Sequence, residues 1–226
     1  MTLAGKKALF EEFAQYVTPE RRDKIERNAR QRTRHVSVVL EDVYQSHNIS
    51  AVLRSSECFG IQDVHIIEDK HRYVVQEEIA KGAAQWLSLH TYGTKDSNNT
   101  ERCFDTLRES GTMIVATTPH ENDMLIDALP LDKKIALVFG TEQRGLSSYA
   151  LAHADAFVKI PLYGFTESFN ISVCAGIALY EVSRRLRASS IPWQLSEDEI
   201  LDLQLEWLGK STNRTEQINA RLQEIV

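Results

Sequence analysis

Apolar residues in this chain recur with two different periods. Short runs rich in valine, isoleucine and leucine stand at 36–40 (VSVVL), 63–68 (DVHIIE), 86–91 (WLSLHT), 112–117 (TMIVAT), 135–139 (IALVF) and 156–160 (AFVKI). Between them the pattern changes to helical spacing at 48–59, 74–81, 100–110, 122–128, 147–153 and 168–187. A run such as IALVF, apolar at every position, predicts a strand buried on both faces. Strands alternating with helices predict an α/β fold: a mostly parallel sheet with helices on both faces.

Both ends of the chain are helical in pattern. Leu3, Leu9, Phe10, Phe13 and Val17 supply apolar positions, and Thr18-Pro19-Glu20 opens a second helix with proline in its first turn. Farther on, Ser196 and Glu199 have capping-box spacing, Leu201, Leu205 and Leu208 form a stripe, and Ser211-Thr212-Asn213 introduces a last helix to Val226. The chain thus divides into a helical extension (1–34), an α/β domain (35–190) and a C-terminal helical extension (191–226).

Three loops that follow apolar strands carry the candidate chemistry. After Val36–Leu40 comes EDVYQSHN, where Asn48 suits a helix N-cap; Ile49, Val52, Leu53 and Phe59 follow at helical spacing, Gly60 stops the helix, and Arg54 flanks the stripe. After 135–139, Gly140 and Gly145 bracket GTEQRG, with Ser147 placed to cap a helix; Leu146 stands where a phosphate loop needs lysine. The third, IPLYGFTESFN, turns at Gly164 and offers Ser168 or Asn170 as a cap. Among the ten glycines no G-x-G-x-x-G occurs, which argues against a dinucleotide fingerprint.

In order and spacing these stretches resemble the three motifs of the SpoU family of RNA ribose 2′-O-methyltransferases. Asn48 and Arg54 match the first, FGTEQRGLS with Glu142 and Gly145 the second, and IPLYGFTESFNISV with Ser168, Asn170 and Ser172 the third. The resemblance covers about 34–187. HNISAVLRSSECFGIQDVHII and the arginine-rich lead-in look closest to its TrmH branch, which methylates a guanosine ribose of tRNA.

The resemblance implies S-adenosylmethionine as methyl donor, tRNA as partner, a homodimer, and a deep C-terminal trefoil knot with loops at about 116–120, 139–146 and 160–169. It makes Thr117, Gly140, Ile160 and Phe169 the donor contacts, and Arg54, Asn48, Glu142, Ser168 and Asn170 the catalytic set. Arg54 is the family's catalytic arginine, set against the substrate ribose and phosphate. The very high pKa of arginine leaves two accounts. Either Arg54 clamps the phosphate bidentately and a phosphate oxygen or water takes the proton, or the guanidinium itself is the base. Glu142 is expected to hold Arg54 or a neighbouring subunit, and Asn48 to orient Arg54 or the ribose. Val173, Ile177, Ala178 and Leu179 form the expected dimer face. A ribosomal RNA substrate, or RNA binding without catalysis, is the alternative.

Composition changes this picture only locally. A net charge of −6 over 226 residues argues against a nucleic-acid partner, but residues 21–34 hold seven Arg or Lys against two acids. Arg27, Arg30, Arg32 and Arg34 are therefore expected to contact tRNA phosphates, and Arg184, Arg185 and Arg187 form a smaller basic group. The separated Cys58, Cys103 and Cys174 read as buried free thiols, and the seven histidines show no ligand spacing, so no metal is expected. With no run long enough to span a membrane and no apolar leader, a cytoplasmic protein is expected, acting on neither DNA nor membrane.

Overall fold

The computed structural model describes residues 1–69, 76–80, 82–119 and 124–223. In chain order they form α1 (Leu3–Ala14), α2 (Pro19–Ala29), β1 (Val36–Glu41), α3 (Ser46–Cys58), β2 (Asp63–Ile67), α4 (Glu77–Ala80), β3 (Ser88–Tyr92), α5 (Asn99–Glu109) and β4 (Met113–Thr117). Then follow β5 (Met124–Leu125), β6 (Ile135–Phe139), α6 (Ser148–His153), β7 (Ala156–Lys159), α7 (Ile171–Ala188), α8 (Glu197–Thr212) and α9 (Thr215–Gln223).

Local chemistry sets many of these boundaries. Thr18, Ser147, Asn170 and Ser196 each accept a backbone N–H from the first turn of the helix they precede, and Ser196 with Glu199 completes a capping box. Gly60, at φ 78°, ends α3: its N–H reaches Glu57 O at 3.1 Å and that of Ile61 reaches Ser56 O at 3.0 Å. Some expectations are corrected. The N-cap of α3 is Gln45, not Asn48, which lies inside the first turn. The helix expected at 100–110 starts one residue earlier, capped by Asn98, whose side chain accepts the Glu101 N–H at 3.2 Å. Residues 83–86 form a 3-10 turn, so β3 starts at Ser88. The expected helix at 122–128 is a short strand followed by a 3-10 turn over Ile126–Ala128. The start of that stretch, residues 74, 75 and 81 of the expected helix at 74–81, and the end of the last helix lie outside the described residues; Glu77–Ala80 of the expected helix is helical.

The chain divides into two compact units. Residues 34–193 form the larger, a seven-stranded sheet of order β3-β2-β1-β6-β4-β7-β5 in which every pairing is parallel. Alternate residues of each central strand feed different cores. Val36, Val38 and Leu40 of β1, with Ile135, Leu137 and Phe139 of β6, pack on Ile49, Val52 and Leu53 of α3 and Ala175, Leu179 and Val182 of α7. Val39, Ala136 and Val138 face Phe104 and Leu107 of α5 and Ala150 of α6. The periodicity of the strands is thus satisfied on both faces.

The two helical extensions, separate in sequence, share the smaller unit: residues 1–33 with the described residues from Gln194 onward. Its core contains Leu9, Phe10, Phe13, Ile25, Leu201, Leu205, Trp207 and Leu208. Lys6 is buried in it and bridges Asp198 at 2.8 Å and Asp202 at 2.7 Å.

Candidate active site

Four loops leave the carboxyl ends of the neighbouring strands β1, β6, β4 and β7, the edge at which open parallel sheets bind ligands. The loop after β6 is the tightest. Thr141 and Gly145 exchange two backbone hydrogen bonds of 2.9 Å, and Gly145 has φ 67°. A Cβ on Gly140 would stand 2.4 Å from the Gly145 carbonyl, so glycine is required there by close approach.

That loop presents Glu142, on which the three motifs converge. Its Oε1 accepts from Asn48 Nδ2 at 3.1 Å, Asn170 Nδ2 at 2.5 Å and the Ile171 N–H at 3.4 Å. Asn170 Nδ2 also donates to Asn48 Oδ1 at 3.1 Å, while Asn170 Oδ1 accepts from the Ser172 N–H at 2.9 Å. Asn48 is buried. One carboxylate therefore ties the starts of α3 and α7 to the glycine loop.

Two cavities adjoin this loop. The first, of about 360 Å³, is enclosed by the ends of β4, β6 and β7 and by α7. Thr117, Gly140, Ile160 and Phe169 all line it, as do Ser168, Glu142 and Glu167. Cys174 also lines it, its thiol pushed up to about 11 by burial. The second, of about 510 Å³, lies on the β1 side of the same loop, bounded by Glu41–Gln45, Asn48, Asp69 and Thr141–Ser147.

Glu41, which the sequence reading missed, fixes the floor between these loops. It is buried at the end of β1, and its carboxylate accepts from Thr100 Oγ1 at 2.7 Å, the Ser147 N–H at 2.8 Å and Ser147 Oγ at 2.7 Å. An acid ending an otherwise apolar strand, VSVVLE, was the available signal.

Arg54 stands apart from the network. It is exposed on α3 and has no hydrogen-bond or ion-pair partner among the described residues, so Glu142 and Asn48 hold each other and Asn170, not Arg54. The basic stretch is also dispersed. Arg27 is exposed, whereas Arg30 pairs with Glu197 at 2.9 Å and Arg22 with Glu11 and Glu26 at 2.6 and 2.7 Å. Arg32 is only 2% exposed, its guanidinium over Trp207, which withdraws it from any phosphate. Arg34 pairs with Asp63 at 2.5 Å. The smaller basic group is structural: Arg184 pairs with Glu181, Arg185 donates to the carbonyls of Ile126 and Leu129, and Arg187 donates to Phe59 O and lies over Trp193.

Fold and site together define an α/β protein with two cavities at adjoining strand-end loops and no dinucleotide fingerprint. Residues 35–180 match the model of the SpoU rRNA Methylase family, and the chain belongs to that family. A tRNA (guanosine(18)-2'-O)-methyltransferase of Borreliella burgdorferi is 39% identical over 195 residues, covering 86% of this chain and 87% of the relative. The crystal structure of an A. aeolicus TrmH/SpoU tRNA modifying enzyme matches with a TM-score of 0.75 at 26% identity, covering 85% of this chain and 96% of that one. The SpoU methyltransferase AviRb from Streptomyces viridochromogenes, solved in complex with AdoMet, shares the fold, with a TM-score of 0.61 at 21% identity over 70% of this chain and 63% of its own.

Proposed function

We propose that this chain is a tRNA ribose 2′-O-methyltransferase that uses S-adenosylmethionine and acts on the D-loop guanosine at position 18, the nucleotide in the name of its Borreliella burgdorferi relative. The observation that carries this reading is the convergence of Asn48, Glu142 and Asn170 between two adjoining cavities.

The first cavity fits the donor. Its volume of about 360 Å³ lies within the ~300–1,000 Å³ of small-molecule sites. Phe139, Ile160 and Phe169 offer apolar walls for adenine, Thr117, Thr118 and Ser168 offer hydroxyls for the ribose and amino-acid tail, and Glu142 and Glu167 bring negative charge. Bound there, S-adenosylmethionine supplies an electrophilic methyl group on a sulfonium sulfur. Glu142, with Oε1 committed to three N–H donors, is a positioning residue; Oε2 remains to orient the ribose. Arg54, exposed and without an acidic partner among the described residues, suits a bidentate phosphate clamp, leaving a phosphate oxygen or water to take the hydroxyl proton. Positioning then supplies much of the acceleration.

Several wider features belong to the same reading. The helical extension at 1–34 contributes RNA contacts, mainly through Lys24 and Arg27, and the C-terminal extension supports it. Two copies pair through α7, where Val173, Ile177 and Tyr180 are exposed; Ala178 and Leu179, expected on that face, are core residues. The insertion of β6 between β1 and β4, and of β7 between β4 and β5, supports the family's trefoil knot. A cytoplasmic site of action follows from the tRNA substrate.

Transfer of labelled methyl to tRNA transcripts, mapped by mass spectrometry of nuclease digests, tests the proposal. The expected product is one 2′-O-methylguanosine in the D loop. Methylation of ribosomal RNA fragments alone would move the substrate to the class in the family's description. Binding without transfer would leave a non-catalytic RNA-binding protein.

A further inference from the structure

We propose that Gln45 is a positioning residue for methyl transfer: its side-chain carbonyl accepts from the buried Asn48 amide and fixes the plane in which Asn48 meets Glu142 and Asn170. This rests on the methyltransferase reading above and deepens it.

The local observation is an N-cap residue whose side chain does not cap. Gln45 precedes α3, and its backbone carbonyl takes the Asn48 N–H at 2.9 Å. Serine, threonine, aspartate and asparagine are favoured at such a position, because their short side chains accept an N–H of the first turn. The Gln45 side chain accepts none. It reaches instead to the side chain three residues on, where its Oε1 accepts from Asn48 Nδ2 at 3.0 Å.

Hydrogen-bond polarity says what that contact does. An ionised carboxylate only accepts, so the amide atoms facing Glu142 Oε1 are Asn48 Nδ2, at 3.1 Å, and Asn170 Nδ2, at 2.5 Å. The other N–H of Asn170 goes to Asn48 Oδ1 at 3.1 Å. Asn48 Nδ2 then has one N–H left, and Gln45 Oε1 is the acceptor it meets. Both N–H groups and the carbonyl of the Asn48 amide are thus engaged.

Three contacts define a plane, and two do not. The terminal torsion of asparagine has broad wells, so an amide held only by Glu142 and Asn170 can tilt. Loss of the third contact also leaves a buried N–H unpaired, since Asn48 is only 3% exposed. Any tilt passes to Glu142, whose Oε2 orients the ribose. Gln45 itself is exposed and lines the second cavity, so it can be changed without opening the core. Its Nε2 has no partner among the described residues, which leaves the carbonyl as the atom that acts on Asn48.

The test uses the full chain with three substitutions. Gln45→Met keeps the length and removes the acceptor. Gln45→Glu keeps an acceptor and removes the N–H donors, and Gln45→Ser gives α3 a better cap that is too short to reach Asn48. Single-turnover methylation is measured across tRNA concentrations, with S-adenosylmethionine binding by calorimetry and stability by thermal melts. Gln45→Met and Gln45→Ser should slow transfer at saturating tRNA by roughly three- to tenfold, the loss of one hydrogen bond, with donor binding and half-saturating tRNA unchanged. Gln45→Glu should stay within about twofold of wild type, because a carboxylate accepts the same N–H. The melting temperature of Gln45→Ser should hold or rise even as its rate falls. Equal slowing in Gln45→Met and Gln45→Glu would assign the effect to the N–H donors and overturn the proposal. So would wild-type rates in all three, or a melting temperature of Gln45→Ser that falls with its rate. If wild type transfers no methyl, the methyltransferase reading fails alone, and solvent exchange of the Asn48 side-chain amide, followed by NMR, decides the positioning. Faster exchange in Gln45→Met than in wild type and Gln45→Glu supports it, and equal exchange in all three overturns it.

Discussion

Arg54 and Asn48 show how differently two residues of one motif are used. Asn48 is buried and held on both sides by Glu142 and Asn170, while Arg54 is exposed and meets neither. Arg54→Ala should therefore cost no more than ~0.5 kcal/mol of stability, as at an ordinary surface position. Donor binding should persist, since Arg54 lines neither cavity. Single-turnover methyl transfer should nevertheless fall by roughly 10²-fold or more, and Arg54→Lys should not restore it, because an ammonium lacks the planar fork. Near-normal turnover of Arg54→Lys would rule out the bidentate clamp. A second residue-scale expectation concerns His65, which lies in the β2–β3 edge of the sheet, stacked on His90 at 4.6 Å. Burial, with the neighbouring His90, lowers its pKa from 6.5 to about 4. The unfolded chain then binds more protons than the folded one between those values. Stability falls as pH drops through that window, by up to ~3 kcal/mol. Thermal melts from pH 7 to 4 should show this slope in wild type and a flatter one in His65→Phe; equal slopes would assign the effect elsewhere.

Among the elements, the glycine loop after β6 and the loop after β7 make opposite demands. Gly140→Ala forces a Cβ into the Gly145 and Leu146 backbone at 2.4–2.5 Å, so the loop must open. A loss of about 1–3 kcal/mol is expected, as for overpacking elsewhere, with weakened S-adenosylmethionine binding in calorimetric titration. Gly164 has nothing nearer than 4.0 Å and no positive φ, so Gly164→Ala should change neither quantity. The turn there does not depend on glycine, contrary to what its place in the sequence suggests. An equal effect of the two substitutions would mean that loop closure at Gly140 is not what shapes the cavity.

For the whole molecule, surface chemistry predicts assembly and RNA affinity. Val173, Ile177 and Tyr180 recur on α7 with exposures of 47%, 37% and 55%, an apolar stripe at helical spacing. Light scattering at micromolar concentration should give a dimer, and the double substitution Ile177→Glu with Tyr180→Glu a folded monomer. A wild-type monomer would end the proposal of pairing. In the basic stretch only part of the charge is on display. Lys24→Gln with Arg27→Gln should lower the salt slope of log tRNA affinity by ~0.7–0.9 for each phosphate contact removed. Arg30→Gln should matter less because Glu197 already neutralises that charge. A slope unchanged by the Lys24 and Arg27 pair would make this face merely solvated.

The sequence by itself determined most strands and helices and many of their caps, because continuous apolar runs such as IALVF and capping residues such as Ser147, Asn170 and Ser196 act within a few residues. It also carried the three motifs, since their order along the chain is visible without coordinates. Only the tertiary structure decided which partners those residues take. The union of Glu142 with Asn48 and Asn170 spans 94 and 28 residues, and that of Glu41 with Ser147 spans 106. Such contacts depend on β6 lying between β1 and β4, a strand order no local pattern encodes. The same reason separates Arg32, buried on Trp207, from Arg27 in solvent, and Leu179 in the core from Tyr180 on the surface. Each pair is alike in local sequence, and only distant segments of chain decide what covers them.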